Sequence, residues 1–128
     1  MTDRSEIDRL LRDLYNARIS GNFEALCGAF SEDAVFQIAG AGQSSPVSNR
    51  AVGAGEFRPL LALLIRAFKL SDHVILSILI DGGQAAVHWS AKVYSRITGT
   101  TVPTELVDLV KVRDGRIVSY TEFFAPRA

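Results

Sequence analysis

Apolar residues change their spacing once along this 128-residue chain, and the change limits the folds it can adopt. The first twenty residues predict a helix, because apolar side chains recur at helical spacing at Ile7, Leu10, Leu11, Leu14 and Tyr15. A third helix is predicted at about 56–69, after a short second one in "FEALCGAF". From Asp72 onward the pattern is typical of strands. Helices followed by consecutive strands indicate an α+β domain with the helices packed on one face of a curved antiparallel sheet.

The predicted ends of the first helices rest on capping residues. Asp3 or Ser5 can cap the first helix, Gly21 ends it and Asn22 begins the next. "AVFQI" then predicts a first strand, and "AGAGQSSPVSNRAVGAG" predicts a loop rich in Gly, Ser and Pro. The loop is too short to separate two domains, so we expect one domain over residues 1–128.

Composition excludes several classes of function. Fourteen basic and fourteen acidic residues give zero net charge, and no basic stretch predicts binding to nucleic acid or to a membrane surface. A single Cys27 and two His residues make a metal site or a disulfide improbable. The charged N-terminus "MTDRSEIDRL" is unlike a signal peptide, and apolar runs of about 6 to 7 residues are too short to span a membrane. A cytoplasmic protein is therefore expected.

Residues 84–96 show the clearest alternation of apolar and polar side chains. The predicted inner face, packed under the helices, carries Val87, Trp89, Ala91 and Val93. The predicted outer face, toward solvent or a partner subunit, carries His88, Ser90, Lys92, Tyr94 and Arg96. This places His88 on the face away from the core, where we expect a surface or interface role and not a catalytic one.

The stretch "ELVDLVKVRDGRIVSYTEFF" predicts a β-hairpin that permits two registers. A two-residue turn at Asp114-Gly115 pairs Val112 with Ile117 and places Asp108 and Glu122 on opposite faces of the sheet. A three-residue turn that includes Arg113 and a bulge places Asp108 opposite Tyr120, with Glu122 on the same face. A shift of one residue reverses every side chain, so the register decides whether these acids share a site.

Two segments resemble the SnoaL-like and ketosteroid-isomerase-like families of the nuclear transport factor 2-like superfamily. "SGNFEALCGAFSEDAVF" is similar to the opening of these families, and "DGRIVSYTEFF" to their closing hairpin. The resemblance covers nearly the whole chain. It implies a cone-shaped α+β barrel with a pocket between the helices and the concave sheet face. It also favours the bulged register and a homodimer formed through the outer sheet face, which would bury His88 and Tyr94.

The ketosteroid isomerase chemistry carries over to this chain only in part. The acid on a late strand falls on Asp108, but the carboxylate base falls on Ile38 and the helix-1 Tyr falls on Leu14. Tyr15 is adjacent, rotated by about 100° around the helix. The departures at Ile38 and Leu14 therefore argue against steroid isomerisation by that mechanism.

The remaining candidate catalytic residues are Asp108, Glu122 and Tyr120. The candidate ligand-binding residues are Trp89, Tyr15, Phe36, Ile38, Phe57 and Phe124. A carboxyl group in so apolar a setting should have a raised pKa, as a general acid or base near neutral pH requires. We expect cofactor-independent isomerase, cyclase or dehydratase chemistry on a small apolar carbonyl or hydroxyl compound. Two interpretations stay open beside it: a non-catalytic ligand-binding module and a dimeric accessory protein.

Overall fold

A computed structural model of the protein describes residues 2–39 and 50–126. Three helices are present in these ranges: α1 (Arg4–Ser20), α2 (Phe23–Gly28) and α3 (Ala54–Ala67). Six strands accompany them: β1 (Phe30–Ala39), β2 (Arg50–Val52), β3 (Phe68–Asp81), β4 (Gln84–Ser95), β5 (Thr101–Arg113) and β6 (Arg116–Pro126). Helix α3 starts and ends two residues earlier than predicted. The predicted Gly-rich loop lies largely outside the described residues; of its remaining part, Arg50–Val52 forms β2, and Ala54 and Gly55 begin α3.

The capping residues place the first helices as predicted. The Asp3 side chain accepts a hydrogen bond from the backbone N–H of Glu6, which satisfies one of the free donors at the start of α1. Gly21 ends α1 in the left-handed conformation (φ 75°), which glycine adopts without steric cost. Asn22 then caps α2 by accepting from the N–H of Ala25.

The strands form one open sheet in the order β2-β1-β6-β5-β4-β3. β3 to β6 are antiparallel neighbours, but β1 runs parallel to β6. The predicted α+β class is confirmed, while the sheet is mixed and not wholly antiparallel. β1 pairs with the edge of β6 that β5 leaves free. Parallel pairing needs a long connection, and α3 and three long strands separate β1 from β6 in the chain.

The closing hairpin adopts neither of the two predicted registers. Asp114 and Gly115 form a two-residue turn, both with positive φ (54° and 77°), and Val112 pairs with Ile117. A bulge then follows, because Lys111 pairs with Ser119 and leaves Val118 as an extra residue. Beyond it Asp108 stands directly opposite Glu122. The two-residue turn alone would place Asp108 and Glu122 on opposite faces of the sheet. The bulge shifts the pairing by one residue and brings both side chains to the same face.

The inner sheet face and the helices enclose the hydrophobic core. Val87, Trp89 and Ala91 are buried as the alternation in β4 predicts, and α1 adds Ile7, Leu11 and Leu14. His88 lies on the opposite face, where its Nε2 is 2.9 Å from Oε1 of Glu105. Within the described ranges, no helix is both long enough and apolar enough to cross a membrane.

Candidate functional site

One buried carboxyl group collects hydrogen bonds from three aromatic side chains. Oδ2 of Asp108 accepts from the hydroxyl of Tyr15 (2.6 Å), from the indole Nε1 of Trp89 (2.7 Å) and from the hydroxyl of Tyr120. All four residues are at most 2% exposed. We call Asp108, Tyr15, Trp89 and Tyr120 the aromatic-acid cluster. It joins α1 to three neighbouring strands and satisfies the hydroxyl and indole donors that burial would otherwise leave unpaired.

Simple periodicity brings these four residues together. Tyr15 follows Leu11 by four residues, so it lies on the inward stripe of α1. Trp89 lies on the inner face of β4. Asp108 on β5 pairs with Val87, which lies on the same face of β4 two residues before Trp89. Each aromatic ring thus fills core volume while its polar end reaches the one acid.

Burial determines the protonation of the aromatic-acid cluster. Desolvation, followed by the nearby charge of Glu122, holds the pKa of Asp108 well above its ordinary value of 3.8. Burial and the negative charge of Asp108 likewise raise the pKa of Tyr15 and of Tyr120, so both hydroxyls stay protonated. Oδ1 of Asp108 is also buried, and no described residue hydrogen-bonds to it.

A second acid group, one strand away, has a different partner. The guanidinium of Arg18 donates from both terminal nitrogens to Glu122, at 2.5 Å to Oε2 and 3.1 Å to Oε1. Their side chains are 14% and 5% exposed. The guanidinium carbon also lies 5.4 Å from the centre of a Trp89 ring. Burial lowers the pKa of Arg18, but the carboxylate of Glu122 outweighs it, and the net pKa is raised. Arg18 therefore remains protonated beside Glu122.

A cavity of about 560 Å³ opens above this ion pair. Its lining residues in the described ranges are Arg18, Ile38, Leu64, Phe68, Leu70, Val93, Ser95, Ile97, Thr98, Thr100, Val102, Thr104, Leu106, Glu122, Phe124 and Pro126. Arg18 and Glu122 are the only charged residues among them. The volume lies within the range of about 300–1,000 Å³ that is usual for small-molecule sites.

The structure divides the predicted site residues between two places. Glu122, Ile38 and Phe124 line the cavity. Asp108, Tyr120, Trp89 and Tyr15 form the aromatic-acid cluster beneath it, and Phe36 and Phe57 lie in the core beside that cluster, where Phe36 stacks on Tyr120 at 5.3 Å. None of these six is among the residues that line the cavity.

Two further residues were not predicted from the sequence. Arg18 follows Leu11 by seven residues and Leu14 by four, so a charged residue on the apolar stripe of α1 was the available signal. His73 lies in an irregularity of β3, next to Asp72 with φ 52°, and its ring packs 5.3 Å from Tyr15 and 5.1 Å from Trp89. Such bulges leave no clear pattern in sequence. Burial, and then the charge of Arg18, lower the pKa of His73 below 6.5.

The described residues contain no group of three or more His, Cys, Asp or Glu side chains that could hold a metal ion. The described residues that line the cavity contribute one guanidinium, one carboxylate and four hydroxyls as side-chain polar groups.

Comparison with known proteins identifies the family. The profile of the SnoaL-like domain matches residues 11–120. Among solved structures, a proposed isomerase from Bacillus subtilis has a TM-score of 0.86 at 18% identity, over 98% of this chain and 90% of that one. An LEH-like epoxide hydrolase from M. tuberculosis has a TM-score of 0.76 at 20% identity, over 94% of this chain and 84% of that one.

A third structure, an NTF-2 like protein of unknown function from Burkholderia xenovorans LB400, has a TM-score of 0.75 at 19% identity, over 97% of this chain and 86% of that one. No curated protein matches the chain. At these identities the solved structures establish the nuclear transport factor 2-like fold and nothing further. The profile match over most of the sequence shows that the chain belongs to the SnoaL-like domain family.

Proposed function

We propose that this protein binds a small apolar carbonyl or hydroxyl compound in the cavity and moves a proton on it without a cofactor. One observation carries the proposal: a cavity of about 560 Å³, walled by apolar side chains, has a single ion pair, Arg18 with Glu122, at its polar end. Apolar walls with a few convergent polar groups are the usual form of a small-molecule site. The SnoaL-like family and a structural neighbour described as a proposed isomerase support the same conclusion.

The two charged residues have complementary parts in this chemistry. Glu122 accepts a proton from the carbon beside the ligand's carbonyl group, and the guanidinium of Arg18 stabilises the negative charge that develops on the carbonyl oxygen. Return of the proton from Glu122 to a second carbon completes an isomerisation, and no other reactant is consumed. Because Asp108 and Tyr120 do not line the cavity, we assign them a positioning role. Their hydrogen bond holds β5 against β6, the strand that carries Glu122.

Deuterium exchange tests the proton-transfer step directly. In D₂O, the wild-type protein should accelerate exchange of the methyl protons of 2-acetylnaphthalene, followed by proton NMR. Glu122→Gln should lower the protein-dependent rate by about 100-fold or more, within the range that positioned bases contribute. Glu24→Gln, which changes an exposed acid paired with Arg58, is the matched control and should leave the rate unchanged. Exchange that survives Glu122→Gln would contradict the proposed role of Glu122.

A binding module is the second candidate function, and one observation favours it. Arg18 donates a hydrogen bond to each carboxylate oxygen of Glu122, so both oxygens are already engaged before a ligand enters. In this case 2-acetylnaphthalene binds, detected by titration calorimetry, but its methyl protons exchange no faster than in buffer.

We also propose that two copies pair through the outer face of β3, β4 and β5. This face carries large exposed apolar side chains on neighbouring strands, including Leu79 (67% exposed), Leu109 (47%) and Val107. Leu79 and Leu109 flank Ala86, so the apolar surface is continuous across three strands. Light scattering after size exclusion should give the mass of a dimer for the wild type and of a monomer for Leu109→Glu. A monomeric wild type would overturn the proposal.

A further inference from the structure

The charge balance at the polar end of the cavity constrains the ligand that can bind there. Glu122 takes one N–H from each terminal nitrogen of Arg18, so positive and negative charges cancel within a single contact. No other described residue that lines the cavity is charged. A ligand therefore meets a pair that is polar but has no net charge.

Each hydroxyl group of the cavity already makes at least one hydrogen bond within the protein. The hydroxyls of Thr98 and Thr100 bond to each other at 2.7 Å, and Thr104 donates to the backbone oxygen of Val102. Ser95 Oγ accepts from the N–H groups of Ile97 and Thr98. The ion pair differs from these hydroxyl groups because it carries the only charges among the described residues that line the cavity.

An anionic ligand has two ways to use Arg18, and both are unfavourable. It can displace Glu122, which leaves that carboxylate unpaired among apolar side chains. It can instead lie beside the intact pair, where the low local dielectric strengthens its repulsion from Glu122. A neutral carbonyl group avoids both penalties, because a guanidinium has five N–H donors and Glu122 uses two of them.

We propose that Glu122 sets the charge selectivity of the cavity, so that the natural ligand is uncharged and presents an acceptor oxygen to Arg18. This inference rests on the proposed function, since it concerns the ligand of the same cavity. It adds a property that shape alone does not provide: acids of the same carbon skeleton are excluded. The determinant is the single residue that neutralises Arg18.

A matched pair of ligands tests this selectivity. 2-Acetylnaphthalene and 2-naphthoate share one skeleton and differ in charge at neutral pH, and titration calorimetry gives both affinities. The wild type should bind the ketone at least about tenfold more tightly than the carboxylate. Glu122→Gln should leave Arg18 uncompensated, strengthen 2-naphthoate binding by about tenfold or more, and change ketone binding by less than about threefold.

A double variant, Arg18→Met with Glu122→Leu, separates the attraction by Arg18 from the loss of the carboxylate. Both charges are then absent, so the repulsion by Glu122 is lost together with the attraction by Arg18. The ketone should still bind through apolar contacts, and 2-naphthoate should still be rejected, now by desolvation alone. Glu24→Gln is the control for general effects of removing a carboxylate and should leave both affinities unchanged.

The outcomes separate the inference from the proposed function. Equal or tighter binding of 2-naphthoate by the wild type overturns the charge selectivity, while the cavity remains a ligand site. An unchanged ratio of affinities in Glu122→Gln overturns the role of Glu122. Binding of 2-naphthoate by the double variant as tight as by Glu122→Gln would show that Arg18 does not attract the anion. If neither compound binds the wild type at about 1 mM, the proposed function and the inference both fail.

Discussion

Asp108 and Glu122 stand opposite each other on adjacent strands, yet their surroundings differ in almost every respect. Asp108 is fully buried and is held by two hydroxyls and an indole, with no cation in direct contact. Glu122 lines a cavity and is held by a guanidinium. Two like residues one strand apart therefore have different surroundings: the first is enclosed in the interior, and the second lies at the cavity.

Both carboxyl groups are buried, so their hydrogen-bond partners distinguish them more than their depth does. Hydroxyl and indole donors stabilise Asp108 in place and offer nothing to an incoming molecule. The Arg18–Glu122 pair keeps a charged donor and a charged acceptor at the cavity surface. Four predictions test this contrast, from the largest expected effect to the smallest.

Removal of the cation should have the largest effect on stability. Arg18→Met leaves Glu122 buried without its partner, and we expect a loss of about 3–5 kcal/mol in the free energy of unfolding, measured with urea. Arg12→Met is the matched control on the same helix, because the Arg12–Asp8 pair is 55% and 40% exposed and should change stability by less than about 0.5 kcal/mol. Similar losses for the two variants would contradict the structural difference between the pairs.

Loss of one donor from the aromatic-acid cluster should cost less. Tyr120→Phe removes one of three hydrogen bonds to Oδ2 of Asp108 and retains the ring, so we expect a loss of about 1–3 kcal/mol in urea unfolding. Tyr94→Phe, on the outer sheet face, is the control and should be nearly neutral. If Tyr120→Phe is also neutral, the cluster contributes packing alone.

Asp108 should make stability decrease as pH rises. Its folded pKa is raised, so at pH values above about 3.8 the unfolded chain releases this proton before the folded protein does. The stability of the wild type relative to Asp108→Asn is then highest below that pH. It should decline as pH rises toward the folded pKa, by at most about 1.4 kcal/mol per pH unit. Urea unfolding of both proteins from pH 4 to 8 measures the slope, and a relative stability that rises with pH would contradict it.

The smallest expected effect is on the pKa of His73, which the charge of Arg18 lowers. Burial and the guanidinium depress the pKa of His73 below 6.5, so NMR titration of its ring protons should show a midpoint below that value. Arg18→Met should raise the midpoint, because a like charge is removed while burial remains. An unchanged midpoint would show that burial alone sets the pKa.

Periodicity and capping were sufficient to predict much of the fold. The stripe of α1, the caps at Asp3 and Gly21 and the alternation in β4 each depend on neighbours in sequence, and each agrees with the structure. The mixed sheet could not be derived in this way, because the pairing of β1 with β6 depends on the path of the whole chain.

The site was harder to predict for the same reason. Asp108 and Glu122 were identified, but their common face depends on the bulge at Val118, which no residue type in that segment specifies. Tyr15 was predicted to bind ligand, and its hydrogen bond to Asp108 was not foreseen. Arg18 was not predicted, because a charged residue near the end of a helix is normally exposed to solvent. Its burial is explained by Glu122, which is 104 residues away in the sequence.

Trp89 is the single tryptophan of the chain, and it touches both carboxyl environments. Its indole N–H donates to Asp108, and its ring lies beside the guanidinium of Arg18. The protein therefore contains an intrinsic fluorophore at the boundary between the aromatic-acid cluster and the ion pair. The fluorescence emission of Trp89 should respond to protonation of Asp108 and to movement of Arg18. One optical signal can therefore follow both events without a label.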